Sequence, residues 1–247
     1  MQRTEFVMGM PFTVRVRGDA TAAVFDAIFT ELRSLDALFS PFNAESAVCR
    51  INSGALDVAG AGPLVREVIE LCERYATRTD GYFSAWAFGR FDPTALVKGW
   101  AIARACAILE RAGHRDHFVD GAGDVWARGE REPGVPWRIG IRHPFERGTA
   151  VEVLDARDLA VATSGTYEKG AHIRDPHTGD TATELLSLTV VGPDIVDADV
   201  YATAAFAMGT EGMSFIERVP GYEAFSIDRS LSASWTSGFS AHRATDA

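Results

Sequence analysis

The order of hydrophobic periodicities along the 247 residues limits the possible folds more than any other feature of the sequence. In the first half, apolar residues recur mostly at helical spacing. Val24, Ile28, Leu32, Leu35 and Phe39 line one face of a helix expected over 20–39, with Asp19 available as its cap. Residues 64–76 repeat the pattern with Val65, Ile69 and Cys72, and 98–112 do so with Ala101, Ile102, Ala105, Ile108 and Leu109, closed by Gly113. Residues 12–16 alternate instead, as does the opening MQRTEFVMGM, which predicts strand.

The second half changes character. Short strands are expected at 117–119, 137–141, 151–154, 159–163, 187–191 and 223–227, separated by Gly- and Pro-containing turns. A late helix is expected over 196–208, ending at Gly209. Strands and helices mix without a βαβ rhythm, so the pattern predicts an α+β fold. The length suits one domain over 1–247. An apolar share of 47% is ample for a core.

Charge and cysteine usage narrow the function classes. The formal net charge of −10 disfavours nucleic acid as a partner, because phosphate-backbone binding needs a basic surface. A nucleotide ligand needs only local donors or a metal. Cys49, Cys72 and Cys106 sit in unrelated contexts without CxxC spacing, which argues against a disulfide scaffold and for a reducing compartment. No apolar run is long enough for a membrane span, and the start lacks a signal pattern, so the expected location is the cytoplasm.

Three polar, glycine-containing segments stand out. FDPTALVKGW (91–100) is a turn leading into a helix, whose N-terminal N–H groups could hold an anion beside Lys98; Asp92 as an ordinary cap reads the segment equally well. Around TSGTY (163–167) and HIRDPHTG (172–179), Asp-Pro-His-Thr-Gly is a turn signature, and His172 is a candidate general base or a structural histidine. In DADVYAT (197–203), Asp199 and Thr203 lie four apart and would share a helix face. Such oxygens suit a hard cation such as magnesium, or simply an acidic cap and a core threonine. A fourth cluster, VDGAGDV (119–125), lacks the GxGxxG spacing of a dinucleotide fingerprint and predicts a tight turn between strands.

In this order, the segments resemble those of the ApbE family of FAD:protein FMN transferases. Met8-Gly9-Met10 is similar to its opening Met-Gly-Thr, and FSPFN with Ser46 and Arg50-Ile51-Asn52 to its Tyr-Asp-x-x-Ser…Arg-x-Asn. Residues 92–100, 120–124, 172–179 and 198–203 resemble its Lys-Gly, Gly-Gly-Asp, Asp-Pro-x-Thr-Gly and Ala-Asp-x-x-x-Thr segments. The resemblance implies an ApbE-type, T-fold-like arrangement of mixed and antiparallel sheets packed with helices, and a Mg2+-dependent transfer of FMN from FAD to a threonine or serine of an acceptor protein, with AMP released. It further implies Asp199, Thr203 and the main-chain oxygen of Ala95 as magnesium ligands. Met8, Asn52, Asp92, Lys98 and Ile173 would line the FAD site, Phe42 would stack on a ring of FAD, and His172 would be the base.

The chain also departs from the family pattern. Phe42 stands where a tyrosine is usual, Thr94 and Ala95 replace glycines, and the stretch between Gly81 and Asp92 is shortened to GYFSAWAFGRF. Competing expectations are an FAD pyrophosphatase yielding FMN and AMP, a non-catalytic FAD-binding protein, and a structural interaction domain.

Overall fold

The computed structural model describes residues 1–146, 148–166 and 173–245. Its centre is an eight-stranded antiparallel sheet in the order β1-β2-β3-β4-β7-β8-β9-β10. The strands are β1 (Gln2–Val7), β2 (Met10–Val16), β3 (His117–Gly121), β4 (Asp124–Arg128), β7 (Leu159–Gly165), β8 (Leu185–Gly192), β9 (Glu223–Asp228) and β10 (Ala233–Trp235). A separate hairpin pairs β5 (Trp137–Arg142) with β6 (Ala150–Ala156).

Alternation within the strands sends side chains to two different cores. Val119, Ala160, Ala162, Leu188, Val190 and Ala224 face a helical layer. Val125, Ala127, Leu159, Val161, Phe225 and Ile227 face the β5–β6 hairpin, where Trp137, Ile139, Ile141, Leu154 and Phe239 complete a smaller core. The result is helices on one side of the sheet and a hairpin on the other, the α+β architecture expected from the sequence.

The helical layer comprises α1 (Ala22–Phe39), α2 (Ala47–Asn52), α3 (Pro63–Arg78), α4 (Thr94–Arg111), α5 (Ile195–Ala207) and α6 (Glu211–Glu217). Helix α1 begins after Thr21, not at the expected Asp19 cap, and Thr21 makes no side-chain capping bond. At the other end of α4, Gly113 has φ 86° and the His114 N–H reaches back to the Leu109 carbonyl, closing the helix as expected. Among the described residues, no helix is long and apolar enough to cross a membrane.

Helix α5 is apolar on nearly every side, with Ile195, Ala198, Val200, Ala202, Ala204 and Phe206 all buried, as befits a helix enclosed by other elements. It packs on β7, β8 and α4. Gly99 makes the α4–α5 approach possible: a Cβ there would sit 2.8 Å from the Ile195 carbonyl oxygen and 2.9 Å from the Asp199 Cβ. Gly99→Ala is therefore expected to cost about 1–3 kcal/mol through overpacking. Thermal denaturation should show Tm lower by roughly 2–4 °C per kcal/mol; an unchanged Tm would mean that the two helices separate freely.

Candidate functional site

Two tight turns form one wall of a cavity. Met8 and Gly9 join β1 to β2 in a two-residue turn with φ of 55° and 73°, the geometry of a type I′ hairpin. The Met8 N–H donates to the Asp36 carboxylate at 3.2 Å, tying the turn to α1. Ala122 and Gly123, with φ of 57° and 108°, join β3 to β4, and Asp120 accepts the Gly123 N–H at 2.7 Å. The glycine cluster at 119–125 is thus the expected tight turn between strands.

The cavity has a volume of about 1060 Å³, and its walls include these turns, the end of α1, the start of α4, β5, the end of β7 and α5. Met8, Phe42, Asn52, Asp92, Ala95, Lys98, Ile173, Asp199 and Thr203 all line it. These are nine of the ten site residues expected from the sequence. His172, the tenth, lies outside the described residues.

The charged centre is built from α4, β4 and α5. Lys98 Nζ forms an ion pair with Asp124 Oδ2 and lies 3.5 Å from Asp199 Oδ1. Both carboxylates are buried, with Asp124 2% and Asp199 3% exposed. Asp124 Oδ1 accepts the Thr163 N–H at 2.9 Å, and Asp199 Oδ2 accepts the Gly99 N–H at 2.8 Å. Burial opposes the charge on Lys98, but the two carboxylates outweigh it and hold the ammonium above its ordinary pKa. Burial pushes Asp199 upward from the usual carboxylate range, and Asp124 adds to the push; Lys98 and the Gly99 amide oppose it.

Asp124 is the member that the sequence did not assign. It ends the glycine cluster, where an acid reads as part of a turn, and only the strand pairing of β4 with β7 turns its side chain under Lys98. Among the described residues, one ammonium is paired with the two buried carboxylates of Asp124 and Asp199.

One turn beyond Asp199 on α5, the half-buried Thr203 hydroxyl lies 3.3 Å from Ser164 Oγ. Ala95, in the first turn of α4 and four residues before Gly99, lines the same cavity. A carboxylate, a hydroxyl and a carbonyl are the oxygen donors that a small hard cation prefers.

The remaining residues shape the mouth. Asn52 has both ends of its amide on the Phe91 backbone, donating to the carbonyl at 2.8 Å and accepting the N–H at 2.7 Å. It acts as a clasp on the segment before α4. Asp92 Oδ1 accepts from the Thr94 N–H at 3.0 Å and from its hydroxyl at 2.6 Å, closing the turn around Pro93, the N-cap of α4, while lining the cavity. Phe42 is 96% exposed, a bare aromatic ring at the rim. Ile173 packs on the helical core, and Asp175 closes the following turn by accepting the His177 N–H at 2.8 Å. His177 itself lies against the Tyr82 ring, with centroids 4.5 Å apart.

Comparison with known proteins bears on this arrangement. The family model described as "ApbE family" matches residues 8–87 and 88–226. Curated relatives include the FAD:protein FMN transferases of Klebsiella pneumoniae, 29% identical over 146 residues, and of Vibrio cholerae, 32% identical over 137 residues. These matches cover 55% and 51% of the chain, and the chain spans only 42% and 41% of the relatives' own length. Among solved structures, the flavin transferase ApbE from Vibrio cholerae superposes with a TM-score of 0.84 at 21% identity, over 98% of each chain. The ApbE protein from Thermotoga maritima does so with a TM-score of 0.86 at 22% identity, over 99% of each. At that identity, the likeness establishes the fold.

Proposed function

The chain belongs to the ApbE family, and from that premise we propose that it transfers the FMN half of FAD to a threonine or serine hydroxyl of an acceptor protein, releasing AMP. The observation that carries this reading is convergence: nine residues singled out from separate sequence segments line one cavity around the Lys98–Asp124–Asp199 cluster. Residues 1–247 act in this reading as one unit, since the cavity draws on positions from Met8 to Thr203. The three free cysteines fit a reducing, cytoplasmic setting.

The donors present suit magnesium. Asp199, Thr203 and the Ala95 carbonyl would hold it beside the Lys98–Asp124 ion pair. Bound there, magnesium would supply Lewis-acid neutralisation of the pyrophosphate. The residues of the chain do the rest. Lys98 brings its ammonium to the phosphate oxygens, while Asp124 and Asp199 fix its position. Phe42 offers a ring face at the rim, and Asn52 keeps the segment before α4 in place. His172 takes the proton from the acceptor hydroxyl as its oxygen bonds to the FMN phosphorus. The bond from that phosphorus to the bridging oxygen breaks, and the oxygen leaves with AMP.

The reading is tested by AMP release from FAD, with magnesium or with chelator, in the presence and absence of a candidate acceptor examined by mass spectrometry. Metal-dependent AMP release matched by covalent FMN on the acceptor is the expected result. AMP with free FMN and no adduct would favour the pyrophosphatase. Tight FAD binding without AMP would favour a binding protein.

A further inference from the structure

We infer that Phe88 supplies a stacking face for one of the two planar ring systems of FAD. The inference rests on the transferase reading only in taking FAD as the ligand.

Three non-glycine residues on the cavity wall have left-handed backbones: Met8, Phe88 and Ala122, with φ of 55°, 61° and 57°. For Met8 and Ala122, tight turns between paired strands account for the conformation. Phe88 and Gly89, with φ of 61° and 73°, form a similar left-handed pair, but no strand pairing imposes it. Phe88 lies in the short 3-10 turn Ala87–Gly89, where glycine, present next door as Gly89, would adopt this φ without cost. A bulky aromatic residue held at positive φ is an outlier, and such outliers gather where a ligand is gripped.

Its ring is neither free nor buried. The Arg174 guanidinium carbon lies 4.2 Å from the ring centroid, and Arg174 Nε is anchored by donating to the Gly179 carbonyl at 2.8 Å. One face is therefore fixed on the 173–179 turn. Phe88 remains 52% exposed while lining the cavity, so part of its ring surface is open at the cavity wall. The turn thus holds a ring at the edge of the ligand space, and the guanidinium covers one face of it. A planar heteroaromatic ring is the chemistry that such a face binds.

The test is equilibrium binding of FAD, FMN and ADP to the wild type, Phe88→Gly and Phe88→Trp, together with each protein's Tm. Phe88→Gly is expected to weaken FAD about 5- to 150-fold, as for loss of one stacked ring. It should weaken either FMN or ADP by a similar factor and leave the other within about twofold, which identifies the stacked ring. Its Tm should not fall, because glycine suits the left-handed backbone. Phe88→Trp should retain FAD within about threefold. Unchanged FAD affinity in Phe88→Gly would overturn the inference. So would equal weakening of FMN and ADP with a lowered Tm, or a Phe88→Trp variant that binds as poorly as Phe88→Gly. A wild type that binds no FAD strikes the transferase reading itself, whereas a wild type that binds FAD regardless of residue 88 strikes only this inference.

Discussion

Asp199→Asn is expected to lower AMP release from FAD by at least about a hundredfold, the scale of losing a fixed electrostatic stabiliser, while leaving the fold nearly as stable. The amide is isosteric, and its oxygen still accepts the Gly99 N–H that Asp199 Oδ2 accepts at 2.8 Å. It also leaves Lys98 paired with Asp124, one charge against one, instead of one ammonium between two carboxylates. The substitution therefore removes the carboxylate proposed for magnesium without stranding a buried charge. Steady-state AMP release across a magnesium titration, with Tm measured alongside, checks it. Wild-type turnover in the variant would dismiss Asp199 as a metal ligand.

Lys98→Met should behave in the opposite way and cost both activity and stability. The methionine keeps most of the apolar stem but takes away the ammonium that, among the described residues, is paired with Asp124 and Asp199. Two buried carboxylates are left facing each other. Removing one partner of a buried pair costs about 3–5 kcal/mol. Lys98 is partly solvated, with 24% of its side chain exposed, so the lower end applies, roughly 3 kcal/mol. That corresponds to a Tm lower by roughly 6–12 °C. Calorimetry or circular dichroism melting reads it directly. Magnesium should restore part of the loss by mass action, as a cation proposed to bind the folded corner alone would do. An undiminished Tm would mean that the carboxylates do not depend on Lys98.

The contrast between these two variants shows where sequence reasoning reaches and where it stops. Helices α1, α3, α4 and α5 were legible because each repeats apolar residues over several turns, a signal that outlasts errors at the ends. The α1 start was not: Asp19 has the chemistry of a cap, but the chain turns one residue before the helix, at Thr21. Strand β4 was hidden inside a glycine cluster, and β10, three residues long, carries too short an alternation to register. The short helices α2 and α6 also lack the length for a periodic signal.

In the site, Asp199 and Thr203 were readable as a helical pair, since their spacing is local. The partnership of Lys98 with Asp124 was not, because it depends on β4, which begins at Asp124, pairing with β7 much later in the chain. Asn52 was expected to line the ligand space and does line the cavity, but its hydrogen bonds to Phe91 give it a clasping role that no spacing rule suggests.

The Gly99–Asp199 hydrogen bond joins residues 100 positions apart, and the first hairpin enters the sheet beside β3, with Phe12 opposite Gly121. Neither half of the polypeptide therefore carries a usable fragment of the charged corner. During synthesis, the side of α4 that meets α5 stays uncovered until α5 has left the ribosome, while α1 and α3 are already there to cover other parts of it. Contacts of such long range form slowly. A chain that stops before α5 lacks Asp199 and Thr203 altogether, and any ligand held at the corner would guard the whole chain against degradation rather than one segment of it.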